Sequence, residues 1–183
     1  MTTGSLRRVL LSILMVCLAV PGMALAGDGP KAAMKLEGAW IAKVPTTLAQ
    51  WSYVLSPDSS GRHATGHGTI EVGFAIGEFG AEYTSPLLIE VTVTGPNTAA
   101  FNSVWYGLKK SADPTYSAEI VYIAVNQGTM TSIGPGKSLG THTLSYYLPA
   151  QDADGDGLPD PGQKPVAPPV ELTTVETRLP GPF

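Results

Sequence analysis

Four carboxylates fall within nine residues, Asp152-Ala153-Asp154-Gly155-Asp156-Gly157-Leu158-Pro159-Asp160. Counting Asp152 as position 1, acidic side chains stand at positions 1, 3, 5 and 9, and Gly157 stands at position 6, where the chain must turn sharply. Leu158, at position 7, can offer its backbone carbonyl. Oxygen ligands in this order wrap a hard cation such as Ca2+. Carboxylates this close repel one another without a cation between them. Gln163 follows at position 12, and Glu171 is a further oxygen donor downstream. The expected calcium ligands are therefore Asp152, Asp154, Asp156, Leu158, Asp160 and Gln163, with the ion stiffening a long loop. The bland alternative is a solvated acidic loop rich in turn formers.

These nine residues resemble the Asp-x-Asp-x-Asp-Gly loops of EF-hands, dockerins and thrombospondin type 3 repeats. The resemblance implies calcium, but it ends at the loop, whose flanks lack a helical pattern. Gln163 stands where an EF-hand has a bidentate glutamate. That departure implies weak binding, with a Kd of about 10⁻⁴–10⁻³ M.

Other chemistry is sparse. His63, His67 and Glu71 share one face if the segment is extended. Residues four apart in a strand are ~13 Å apart, too far for one ion. Gly66 and Gly68 argue against the helix that would gather them, so surface or lumen histidines are expected. There is no zincin motif or P-loop, and no strand-loop-helix unit surrounds Gly134-Pro135-Gly136.

The N-terminus reads as a cleavable secretory signal over residues 1–26. Arg7-Arg8 precede an apolar run from Val9 to Val20, and Ala24-Leu25-Ala26 supplies small residues for cleavage. The apolar run is short for a membrane span. The segment contains Cys17, the sole cysteine. Residues 27–183 then carry nine basic against fifteen acidic residues, a formal net charge of −6. That balance argues against nucleic-acid and anionic-membrane partners. No later stretch is apolar enough to insert stably in a membrane as a helix, and a secreted or periplasmic location is expected.

Residues 27–183 read as a single all-β domain with an acidic, Pro-rich loop at 150–169. Runs of Val, Ile, Thr, Tyr and Trp alternate with Gly, Pro, Asn and Asp clusters. Eight antiparallel strands are expected near 38–44, 50–56, 67–76, 83–94, 98–108, 117–126, 139–148 and 170–178. In the fourth, Leu87, Ile89, Val91 and Val93 alternate with Glu90, Thr92 and Thr94, the period of a half-buried strand. Gly95-Pro96-Asn97 turns it into the fifth. Short helical turns fit only Pro30–Leu36 and Thr46–Gln50. Short connections favour a meander that closes into a barrel and removes its edges; a β-sandwich is the alternative.

Leu36-Glu37-Gly38-Ala39-Trp40 opens the first strand. It resembles the Gly-x-Trp of lipocalins and related calycin barrels. The resemblance implies an up-and-down barrel whose floor is closed by Trp40, with a basic residue of the last strand, Arg178, packed on the indole. Three functional classes follow. The first is an exported barrel holding an apolar small molecule among its aromatic residues, with a calcium-stiffened loop at one end. The second is a ligand-free structural or interaction domain of the cell envelope. The third is a cyclase or isomerase with a lumen active site, using His142 or a buried glutamate as base.

Overall fold

The computed structural model describes residues 34–72 and 78–181. The N-terminal segment read as a signal peptide lies outside them. Nine strands follow in chain order: β1 (Gly38–Lys43), β2 (Gln50–Pro57), β3 (His63–Val72), β4 (Tyr83–Thr84), β5 (Leu87–Gly95), β6 (Thr98–Lys110), β7 (Ala118–Gly134), β8 (Lys137–Tyr147) and β9 (Val170–Arg178). Eight of them form a closed antiparallel ring in the order β1-β2-β3-β5-β6-β7-β8-β9, and β9 returns to pair with β1. The two-residue β4 adds to β6 beside β5. The protein is thus an all-β, eight-stranded up-and-down barrel with one extra short strand. Closure satisfies the backbone donors and acceptors that an open edge would expose.

Alternation builds the interior. In β5, Leu87, Ile89, Val91 and Val93 face inward, and Leu88, Glu90, Thr92 and Thr94 face out. Trp40, Trp51, Tyr53, Phe101, Trp105, Tyr122 and Tyr146 are all buried. Trp40 stacks near-parallel on Tyr53 at a ring separation of 6.4 Å. Toward the other end, Phe79 packs against Tyr122 and Tyr146 at 5.7 and 5.8 Å. Phe79 sits in a single 3-10 turn with φ 57, a left-handed conformation costly for a bulky residue. Its aromatic contacts lie on the side that offsets that cost.

Several boundaries differ from the sequence expectation. The strand expected over 83–94 breaks at Ser85-Pro86, because proline has no N–H to donate to the ladder. Ser85 bridges the break by exchanging hydrogen bonds with the backbone of Tyr106. The third strand begins four residues earlier, at His63, and the strand expected to end at 126 runs on to Gly134. Thr46–Gln50 is a hydrogen-bonded turn and not a helical one. The short 3-10 helices lie instead at Glu78–Gly80 and Pro149–Gln151. Among the described residues, no helix is long and apolar enough to cross a membrane.

Candidate functional site

Among the described residues, the expectation of an aromatic-lined lumen meets a filled one. Two small voids flank Asn126, each of about 10 Å3. That is room for about one water molecule. Trp51 and Trp105 wall them with Phe101, Met130 and Leu87. The aromatic residues are core.

Across this core runs a chain of polar side chains from five strands. Tyr53 on β2 donates its hydroxyl to Glu176 Oε2 on β9 in a short hydrogen bond. Thr174 Oγ1 donates to Glu176 Oε1 at 3.1 Å. His142 on β8 places Nε2 2.8 Å from Thr174 Oγ1 and 3.5 Å from Glu176 Oε1. Asn126 Nδ2 on β7 donates to His142 Nδ1 at 3.2 Å and to Ser103 Oγ on β6 at 3.3 Å. His142 Nδ1 is then the acceptor, so Nε2 carries the proton and points it toward Thr174 and Glu176. Burial first, then the charge and hydrogen bond of Glu176, raise the Tyr53 phenol well above its ordinary value. Tyr53 is therefore a neutral donor to a carboxylate that is 1% exposed.

Gly140 makes this arrangement possible. A Cβ there would meet Thr174 Oγ1 at 2.4 Å, His142 Nε2 at 2.5 Å and Glu176 Oε1 at 2.7 Å. His142 is further clamped by Trp51, edge-on at 5.3 Å, and by Phe101 at 4.6 Å. Both its ring nitrogens are engaged, and the adjoining void has no volume for a substrate. The chain ties five strands at one level of the barrel, an arrangement that fixes register.

Of these groups, the sequence points to His142 and an unspecified buried glutamate as a base, and to Tyr53 only as aromatic surface. The signal was nevertheless present. Arg178 was placed opposite the buried Trp40, and stepping back by two along β9 puts Glu176 and Thr174 on the same inward face. The register pairs Trp40 directly with Arg178.

The remaining histidines lie outside the barrel. His63 Nε2 is 3.2 Å from Glu90 Oε1, and its Nδ1 is 3.1 Å from Thr92 Oγ1. His67 is exposed. Glu171 accepts a hydrogen bond from Thr143 at 3.0 Å on the outer surface.

The acidic loop does gather its first carboxylates. Oxygens of Asp152, Asp154 and Asp156 lie within 4.8 Å of one another. Gly155 and Gly157 adopt φ 75 and 89, which favour glycine. Asp152 Oδ2 accepts from Gly157 N at 3.0 Å, and Asp156 Oδ1 accepts from Leu158 N at 2.8 Å. Asp152 Oδ1 is buried with no hydrogen-bond partner. Asp160 Oδ2 takes the Ala153 N–H at 3.2 Å, and Gln163 Oε1 takes a Gln151 amide proton at 3.3 Å.

The loop lies against the outer wall of the barrel. Tyr106 on β6 donates its hydroxyl to Gly157 O at 3.0 Å. Partial burial, then the charges of Asp152 and Asp156, push the Tyr106 phenol above its ordinary value. Beside this contact, Leu158 walls a groove of about 550 Å3 whose apolar floor is Leu88, Val104 and Val125. Leu88 and Val104 are cross-strand partners, as are Val104 and Val125, so they form one outward-facing row. Thr65, Glu90, Asn102 and Gln127 rim it with polar groups.

Fold and sites together define a closed eight-stranded antiparallel barrel with a filled, polar-threaded interior and a loop-walled external groove. No family model matches the chain, and no curated protein matches it. Among solved structures it is similar to EF1p2_mFAP2b bound to DFHBI, at 20% identity over 82% of this chain and 98% of that one, with a TM-score of 0.45.

Proposed function

We propose that the protein is an exported β-barrel that binds an apolar small molecule in its external groove, with calcium on the 152–163 loop holding Leu158 in place. The observation that carries this reading is the groove itself. Its size and its apolar row with a polar rim suit a small-molecule site. The filled interior directs a ligand to the outside of the barrel. The N-terminal sequence of residues 1–26 supports export. Gly38-x-Trp40 with Arg178 directly opposite supports the calycin-like reading of that end of the barrel.

The loop fits a hard cation. Two oxygens on opposite sides of one Ca2+ stand roughly 4.6–5.2 Å apart, and the Asp152, Asp154 and Asp156 oxygens lie within 4.8 Å. A bound ion would also satisfy Asp152 Oδ1. Asp160 and Gln163 would complete the set with the Leu158 carbonyl.

The neutral probe Nile red tests the reading. Saturable binding in calcium, weakened by Leu88→Asp and by Leu158→Asp, is expected. Chelation should weaken it as well, and Asp154→Ala should remove that calcium response. Absence of saturable binding, or binding indifferent to both leucine substitutions, overturns the groove. It then favours a ligand-free envelope domain, the reading the packed interior supports.

A further inference from the structure

A second recess lies at the Trp40 end of the barrel, of about 310 Å3 and lined by both polar and apolar surface. Three cationic side chains border it, Lys35, Lys137 and Arg178, and among the described residues no acidic side chain does. Such a one-signed cluster is notable on a chain of net charge −4. It is independent of the external groove, with which it shares no lining residue.

Two buried polar groups at this recess have no partner. Ser138 is 1% exposed, and its Oγ makes no hydrogen bond. Arg178 Nε is likewise buried and unsatisfied. A buried donor left unpaired is costly, and each such group calls for a ligand, water or ion to meet it. The backbone makes room for the guanidinium. Gly38 adopts φ 118, and a Cβ there would come within 2.9 Å of Arg178 Nε. Any other residue at Gly38 would be strained and would crowd Arg178. Trp40 lies across from Arg178, with its indole N–H satisfied by Leu36 O at 2.9 Å, so it forms a wall and is not a donor to the recess. Asn97 and Ser132 add polar groups at the rim.

We infer that this recess binds a small oxyanion, a phosphate or carboxylate group, through Arg178 and Ser138, with Lys35 and Lys137 supplying long-range attraction. Arg178 gives a planar fork of N–H donors matched to such oxygens. Ser138 gives one hydroxyl donor. The flanking lysines raise the local anion concentration despite the overall negative charge.

Arg62 and Arg178 are the only arginines after residue 8, so their side-chain Nε–H signals are readily separated by NMR. The purified protein is titrated with inorganic phosphate and, separately, with succinate, at ionic strength held constant by sodium chloride. The expected result is a saturable shift of the Arg178 Nε–H and the Trp40 indole signals, with Arg62 unmoved. A response to phosphate alone narrows the ligand to a phosphate, and to succinate alone a carboxylate; a response to both supports the oxyanion class. Lys137→Gln, at the exposed start of β8, should weaken binding about two- to fivefold. Arg178→Lys keeps the charge and should weaken it about tenfold through loss of the fork. Shifts that fail to saturate, that equal those from chloride, or that persist unchanged in both variants overturn the site. Retained fold in the variants is checked by the Trp105 indole signal of the same spectra, a residue that does not line the recess.

Discussion

The barrel interior and the acidic loop each concentrate ionisable groups, and they satisfy them in opposite ways. Inside, the single carboxylate of Glu176 is met by Tyr53, Thr174 and His142, donors brought from three strands. On the loop, the clustered aspartates are met mainly by backbone N–H groups of their own segment, and Asp152 Oδ1 by none. The buried carboxylate of Glu176 is met from within the fold, because an unpaired charge at 1% exposure would be prohibitive; the group of the polar chain left without a partner is the neutral Asn126 Oδ1. The loop sits at the surface, where water tolerates incomplete pairing, and so it can leave a coordination shell for a partner from solution. A charge met from within fixes a structure; one left partly open can respond to an ion.

The interior should be the more fragile. Glu176→Ala removes the acceptor shared by Tyr53 and Thr174 and leaves their hydroxyls buried without it. A loss of about 3 kcal/mol or more is expected, since each unsatisfied group costs about 1–3 kcal/mol. Urea denaturation measures it, and a loss under about 1 kcal/mol would mean the chain does not organise the barrel. Gly140→Ala should be comparably severe, because the added methyl must displace Thr174, His142 or Glu176.

The loop should respond to solution conditions instead. Calcium at ten- to hundredfold excess over its Kd should stabilise the native state by about 1–3 kcal/mol. The chelator-treated protein, followed by its melting temperature, should show the rise, and Asp154→Ala should lack it while melting normally without calcium. No rise in millimolar calcium would leave the loop a solvated acidic turn. A spectroscopic companion is available in Tyr106. Asp152 and Asp156 help to hold its phenol above the ordinary value of 10.0. A cation between those carboxylates must offset their charge, so calcium should lower the Tyr106 titration midpoint at alkaline pH. Tyr53, raised mainly by burial and then by Glu176, should not move.

The two regions also differed in how readable they were. Nine residues of contiguous sequence contain the whole acidic cluster, so its spacing could be read directly. The interior chain draws on residues from Tyr53 to Glu176, and no local spacing joins them; only the barrel register does. The strands were legible where alternation was clean, as in β5, and lost where glycines interrupted it. Gly66 precedes the expected start of β3, Gly68 lies just inside it, and Gly128 falls beyond the expected end of β7. The packing explains those glycines. A Cβ at any of the three would fall within 2.2 Å of a carbonyl oxygen on the neighbouring strand. Close strand approach requires glycine at these positions. The external groove was illegible for a related reason, since its row of Leu88, Val104 and Val125 exists only across three paired strands.

A third carboxylate sharpens the comparison at the small end. Asp58, in the turn joining β2 to β3, is fully exposed like the loop yet self-contained like the interior. Its Oδ1 accepts from Ser60 Oγ at 2.7 Å and from Ser60 N at 3.0 Å. The Ser60 hydroxyl first, then backbone donors of the turn, hold its pKa below the ordinary 3.8. A depressed folded-state pKa means that the ionised form is the one the fold prefers. The contribution is therefore present above the unfolded value of 3.8 and is lost as pH falls through the lower folded value. Asp58→Asn keeps an oxygen acceptor but removes the charge. The variant should melt slightly below the parent at neutral pH, and the gap should close on acidification below that value. Calcium should leave the gap unchanged, because no ion is needed where the turn supplies its own donors. A gap that persisted at acid pH would assign the Asp58 contribution to turn geometry and not to charge.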